Sequence, residues 1–171
     1  MKWIIILLNF WLFAGCASAQ QIAKDPPCSS EEHSQFDFWL GTWDVADHKG
    51  VLVGRNVITK EENGCLIVER WTSANGGTGQ SYNFYDPKTR QWRQIWVGAG
   101  SVIEYSGQSK NPGSMKLEGE IRYQTGGVFP FTGEWSLQED GTVRQYFEQY
   151  DPEADVWKPW FTGFYTKVDL E

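Results

Sequence analysis

Few groups in this chain of 171 residues are of a type that does acid–base, nucleophilic or metal chemistry. There are two histidines, His33 and His48. His33 falls in the polar stretch Ser29-Ser30-Glu31-Glu32-His33, and His48 in the turn-forming run Asp47-His48-Lys49-Gly50. Two isolated histidines do not make a zinc site, and a single one could at most serve a haem iron. Two exposed side chains account for them, and no metal or cofactor is expected. Gly79-Gln80-Ser81 lacks the closing glycine of a nucleophile elbow. Gly76-Gly77-Thr78-Gly79 is glycine-rich enough to cradle a phosphate. Neither a helix pattern nor a P-loop lysine follows it, so it reads as a hairpin turn. Glu69, in Ile67-Val68-Glu69-Arg70-Trp71, is the one acid set among apolar residues that draws notice. Desolvated by tryptophans, its carboxyl would take up a proton near neutrality and suit general acid/base work; paired with Arg70 or Arg93, it would be structural.

These residues need elements to hold them, and the punctuation of the chain says which. Turn signals recur about every ten residues. They are Asp47-His48-Lys49-Gly50, Glu61-Glu62-Asn63-Gly64, Asn75-Gly76-Gly77, Asp86-Pro87, Gly98-Ala99-Gly100, Asn111-Pro112-Gly113, Gly126-Gly127, Glu139-Asp140-Gly141 and Asp151-Pro152. The runs between them are short, and none after Gly41 has a helical period. The pattern predicts an all-β fold: a single antiparallel meander of about eight to ten strands, closed or nearly closed into a barrel because closure removes edges. Ahead of it, Ser29 three places before Glu32 forms a capping box and predicts a helix over 30–40. Phe36, Trp39 and Leu40 are spaced to share one face of that helix, and Gly41 ends it. The helix is expected to plug one end of the barrel, with Trp43 on its floor.

Tyr85-Asp86-Pro87 followed by Trp92 is repeated as Tyr150-Asp151-Pro152 followed by Trp157. Convergent turn chemistry explains the echo without duplication. Alternation sorts side chains into faces. In the third strand region Cys65, Ile67, Glu69 and Trp71 oppose Leu66, Val68 and Arg70. Both faces are mixed, so hydrophobicity alone does not decide which one turns inward.

Phe36-Asp37-Phe38-Trp39-x-Gly41-x-Trp43 resembles the start of a family of exported bacterial lipocalin-like (calycin) proteins of unknown function. The likeness continues through Gly64-Cys65-x-Ile67-x-Glu69-x-Trp71, Gly79-x-Ser81-x-Asn83-x-Tyr85-Asp86, Trp92-x-Gln94-x-Trp96-Val97, Val143-Arg144-Gln145 and Trp157-x-x-x-Phe161-x-Gly163-x-Tyr165. It covers most of the mature chain. It implies a calycin-type barrel and no particular activity. If the family-like positions point inward, Glu69, Asn83, Gln94 and Gln145 form a sparse polar line in a cavity walled by Trp71, Trp92 and Trp96. An apolar pocket with few polar groups suits a small ligand. A barrel filled by its own side chains is the alternative.

Composition bounds the rest. Ten tryptophans allow a core built of rings, and the formal charge of −7 argues against nucleic acid and against an anionic membrane surface. Residues 1–19 read as a secretory signal peptide: Lys2, an apolar run from Trp3 to Ala14, and the small-x-small site Ala17-Ser18-Ala19. Phe13-Ala14-Gly15-Cys16 also resembles a lipobox, with Phe13 where Leu is usual, so lipid anchoring through Cys16 stands beside cleavage after Ala19. No other stretch is long enough to span a bilayer. Residues 20–29 form a tether, and residues 30–171 form the barrel domain. Without Cys16, Cys28 and Cys65 remain, and an even count in an exported chain predicts one disulfide. A catalytic thiol is the weaker reading, since no basic residue lies within two positions of either. Three functions fit: a periplasmic or secreted barrel that binds a small apolar or amphipathic molecule, a small isomerase or hydrolase using Glu69, or an envelope protein with a filled barrel.

Overall fold

The computed structural model describes residues 26–168. The signal peptide, the lipobox cysteine Cys16 and most of the tether therefore lie outside the described residues. Ten strands follow one another: β1 (Gly41–Ala46), β2 (Leu52–Glu61), β3 (Leu66–Ser73), β4 (Thr78–Asp86), β5 (Gln91–Gly98), β6 (Ser101–Gln108), β7 (Ser114–Tyr123), β8 (Val128–Leu137), β9 (Val143–Asp151) and β10 (Val156–Lys167). Each pairs antiparallel with the next, and β1 closes on β10 with Trp43 opposite Lys167 and Ala46 opposite Phe164. The meander is a closed barrel. Every turn signal of the sequence falls between two strands. Burial alternates along β1, β4, β6 and β9, as it must when one face of each strand meets a core and the other meets water.

In an up-and-down barrel the hairpins fall alternately at the two ends. The turns after β2, β4, β6 and β8 gather at one end, and residues 31–39 plug it. The expected helix over 30–40 is two 3₁₀ turns instead, Glu31–Ser34 and Asp37–Trp39. The capping box does not form. Ser30, not Ser29, precedes the first turn, and its hydroxyl donates to the Glu32 carboxylate at 2.6 Å rather than accepting a backbone N–H. The 3₁₀ form has a packing advantage here. Residues three apart eclipse one another in it, so Phe36 and Trp39 stack at 5.0 Å and enter the barrel together, both fully buried. Leu40 is already extended, past the end of the turn, and packs half-buried against the same core. Gly41 has φ of +140°, which L side chains rarely adopt.

The plug is pinned from three sides. Trp92 donates its indole N–H to the Glu32 carbonyl at 3.1 Å, and Lys60 reaches Asp37 at 2.7 Å and the His33 carbonyl at 3.0 Å. The third tie is covalent: Cys28 is disulfide-bonded to Cys65 in the turn before β3, 37 residues on. Closing a loop of that length is worth about 4 kcal/mol through the unfolded chain. Trp43 lies beneath, 2% exposed, donating its N–H to the Trp39 carbonyl at 2.9 Å. The repeated Asp-Pro turns share chemistry only. Asp86 and Asp151 each accept the backbone N–H two residues on at 2.9 Å, but one turn lies at the plug end and the other at the mouth.

Candidate functional site: an aromatic cup over a polar network

The half of the barrel next to the plug is solid. Phe36 and Trp39 pack on Trp135 and Trp92, and Met115, Leu117 and Val143 fill the space around them. The other half holds a cavity of about 180 Å³. Its polar floor is Glu69, Gln94, Tyr105, Gln145 and Tyr165, and its walls are Trp71, Trp96, Ile103, Phe147, Trp160 and Phe161. Trp160 stands at the rim, 46% exposed.

Two local devices make the cup. The first is space left by glycine. Trp96 lies flat across Gly79 on the neighbouring strand, so close that a Cβ there would sit 2.2 Å from the ring. Trp71 lies across Gly54 in the same way, at 2.4 Å. Both indoles are thus laid against the wall and the centre stays open. The second device is a β-bulge. The β9–β10 register shifts between Pro159 and Phe161, so Trp160 and Phe161, neighbours in sequence, both face the cup. Trp160 sits edge-on to Phe131 at 5.4 Å and donates its N–H to the Tyr123 hydroxyl at 3.0 Å.

The floor is one directed hydrogen-bond network. The Tyr105 hydroxyl donates to Gln94 Oε1, and Gln94 Nε2 donates to Asn83 Oδ1. Asn83 Nδ2 donates to Ser81 Oγ at 2.9 Å, and Ser81 donates to Glu69 Oε2 at 2.6 Å. From the other side Asn56 Nδ2 donates to Glu69 Oε1 at 2.6 Å and to the Tyr165 hydroxyl at 3.4 Å, and Tyr165 donates to Gln145 Oε1 at 2.5 Å. Each donor polarises the next, and the chain ends on the carboxylate. Among the described residues no basic side chain reaches it. Arg70 and Arg93 point outward, in surface pairs with Glu61 and Glu104 at 3.0 Å each. Burial therefore pushes the Glu69 carboxyl up to about 7, against the opposing pull of the Ser81 and Asn56 bonds. Burial first, and the Glu69 charge second, push Tyr105 and Tyr165 well above the usual phenol range.

Of the residues singled out in the sequence, Glu69, Trp71, Gln94, Trp96 and Gln145 line the cup. Asn83 and Trp92 do not. Asn83 is fully buried below the floor, bonded to the Ile67 carbonyl at 3.0 Å, and serves the network from behind. Trp92 begins β5 at the plug end, T-shaped to Phe36 at 5.7 Å. Trp96, four residues on and so roughly 13 Å further along the strand, is the one at the mouth. His33 lies outside, edge-on to Tyr85 at 5.3 Å, and His48 is in an exposed turn. The sequence reading missed Ile103, Tyr105, Phe147, Phe161, Tyr165 and Trp160. Phe147 shares a face with Gln145, and Phe161 and Tyr165 stand in the family-like pattern, so alternation pointed to all three. Trp160 carried no such signal, because alternation from Phe161 places it outside. No protein-family model matches the chain, and no curated protein matches it.

Proposed function

We propose that this protein is an exported binding module that holds a small, single-ring amphipathic molecule in the mouth half of its barrel. One observation carries the reading: the same barrel is packed solid below Glu69 and left open above it, with aromatic walls around a polar floor. A cavity of about 150 Å³ is enough for benzene, so about 180 Å³ suits one ring with a polar head. The head meets the floor, and the ring lies between Trp71, Trp96, Phe147 and Phe161. The resemblance to exported lipocalin-like proteins supports this reading, as does a disulfide, which persists in oxidising compartments. Native mass spectrometry of the protein purified from its source is the direct test. A retained molecule of about ten heavy atoms is the expected result; a bare chain that no panel of ring compounds stabilises against heat sinks the proposal.

A second reading has a specific observation behind it. Glu69 is a buried carboxylate with no cation, its proton held up to about 7, beside a cavity. That is the setting of a general base. Both of its oxygens are already engaged by Asn56 and Ser81, which favours binding over turnover. Solvent deuterium washed into a bound carbonyl compound, and lost in Glu69→Gln, would favour the enzyme.

A further inference from the structure

The floor of the cup carries an unbalanced charge. Its charge is uncompensated: Glu69 is 4% exposed, and among the described residues no lysine, arginine or histidine lines the cavity. Its hydrogen-bonding capacity is mixed: Gln145 brings an amide nitrogen to the floor, and the tyrosines bring acceptors. Tyr105 and Tyr165 both face the cup, and each spends its only proton on a glutamine oxygen. The Tyr105 hydroxyl oxygen is left as an acceptor, and that of Tyr165, which takes a long bond from Asn56 Nδ2 at 3.4 Å, keeps one lone pair. The donors of Ser81 and Asn56 are turned to Glu69 from behind. Above this floor stand three indoles and two phenyl rings, whose faces attract cations. Trp160 has already committed its N–H to Tyr123, so what it offers the cup is its ring. The chain as a whole carries −7, which draws cations and repels anions.

Resting on the binding reading of the cup, we propose that the occupant is a small organic cation, a cyclic or aromatic primary amine. Its ammonium group docks on Glu69 and the two tyrosine hydroxyls, and its ring lies among Trp71, Trp96 and Trp160. The ammonium supplies the counter-charge that the carboxylate lacks, and its N–H groups donate to that carboxylate and to the tyrosine oxygens. A carboxylic acid of the same size meets repulsion from Glu69. A neutral alcohol fills the same walls but leaves the charge unpaired.

Titration calorimetry at pH 8, with benzylamine, benzyl alcohol and benzoate as probes of nearly equal size, tests this on the intact domain. Benzylamine is expected to bind about tenfold more tightly than benzyl alcohol, a difference of about 1.4 kcal/mol, and benzoate more weakly than either. Glu69→Gln should bring the amine and the alcohol to within about threefold of each other. Equal affinity for amine and alcohol in the wild type overturns the cation proposal and leaves the binding reading standing, whether or not the variant folds. Tighter binding of benzoate overturns it as well. Binding of none of the three, or of any other ring compound, overturns the binding reading and this proposal with it.

Discussion

A single buried proton sets the behaviour of Glu69. Its carboxyl holds that proton up to about 7 in the folded chain and to its ordinary 4.5 once unfolded. Between those values the folded state binds more protons, so its stability falls as pH rises. The contribution is full below pH 4.5, is lost by about pH 7, and amounts to roughly 3 kcal/mol. Glu69→Gln removes this slope. Asn56 Oδ1 is buried without a partner, and a half-turn of that amide lets it accept from the new amide nitrogen. Urea unfolding should therefore show the variant gaining on the wild type by up to about 3 kcal/mol between pH 4.5 and pH 8. Parallel stability curves would mean that Glu69 is better solvated than its surroundings suggest. The glycines under the indoles give a second residue-scale test. The nearest atoms to a Cβ at Gly79 all belong to the Trp96 ring, whereas one at Gly54 also meets the Thr72 carbonyl at 2.5 Å. Gly79→Ala should keep the fold at a cost of about 1–3 kcal/mol, swing Trp96 into the cup and abolish binding of ring compounds. Unchanged affinity in a folded Gly79→Ala protein would show that the space above Glu69 is not the site.

Among the elements, the plug shows what local sequence does and does not encode. Gly41 and Trp43 were legible, because a positive φ and a buried ring leave marks on residue type. The form of the plug was not. Whether residues 31–39 wind as one α-helix or two 3₁₀ turns depends on how Phe36 and Trp39 fit between Trp92 and Trp135, which lie about 55 to 100 residues away. The bulge at Trp160 was illegible for the same reason. It is decided by the register of β10 on β9 and by Tyr123 across the mouth. Trp43 joins plug to barrel through its bond to the Trp39 carbonyl, its edge contact with Tyr165 at 6.3 Å, and Lys167 over its ring at 5.4 Å. Trp43→Ala should cost about 3–5 kcal/mol. Thermal unfolding would show it, and a shift of only a degree or two would make the plug an ornament rather than part of the core.

At the scale of the whole molecule the barrel was readable because its turns are written in glycine and in Asn-Gly, Asp-Gly, Pro-Gly and Asp-Pro pairs. Each fixes its hairpin locally, and ten strands in meander order have little choice but to close. What the turns do not encode is the seam. β1 ends at Ala46, opposite Phe164, so the part of β10 from Val156 to Gly163 pairs with β9 alone among the described strands. That stretch carries Trp160 and Phe161, two walls of the cup, along a side with no ladder behind it. Backbone bonded on one side opens at lower free energy than backbone bonded on both. Hydrogen exchange should therefore find the amides of Trp157 to Gly163, Pro159 having none, the least protected of any strand segment, well below those of β7 and β8, which pair over nine residues. A ring compound that fills the cup ties Trp160 and Phe161 to the opposite wall and should slow exchange there before anywhere else. Protection that is uniform around the barrel, and unchanged when the compound is added, would show that the seam is closed by contacts other than β-pairing.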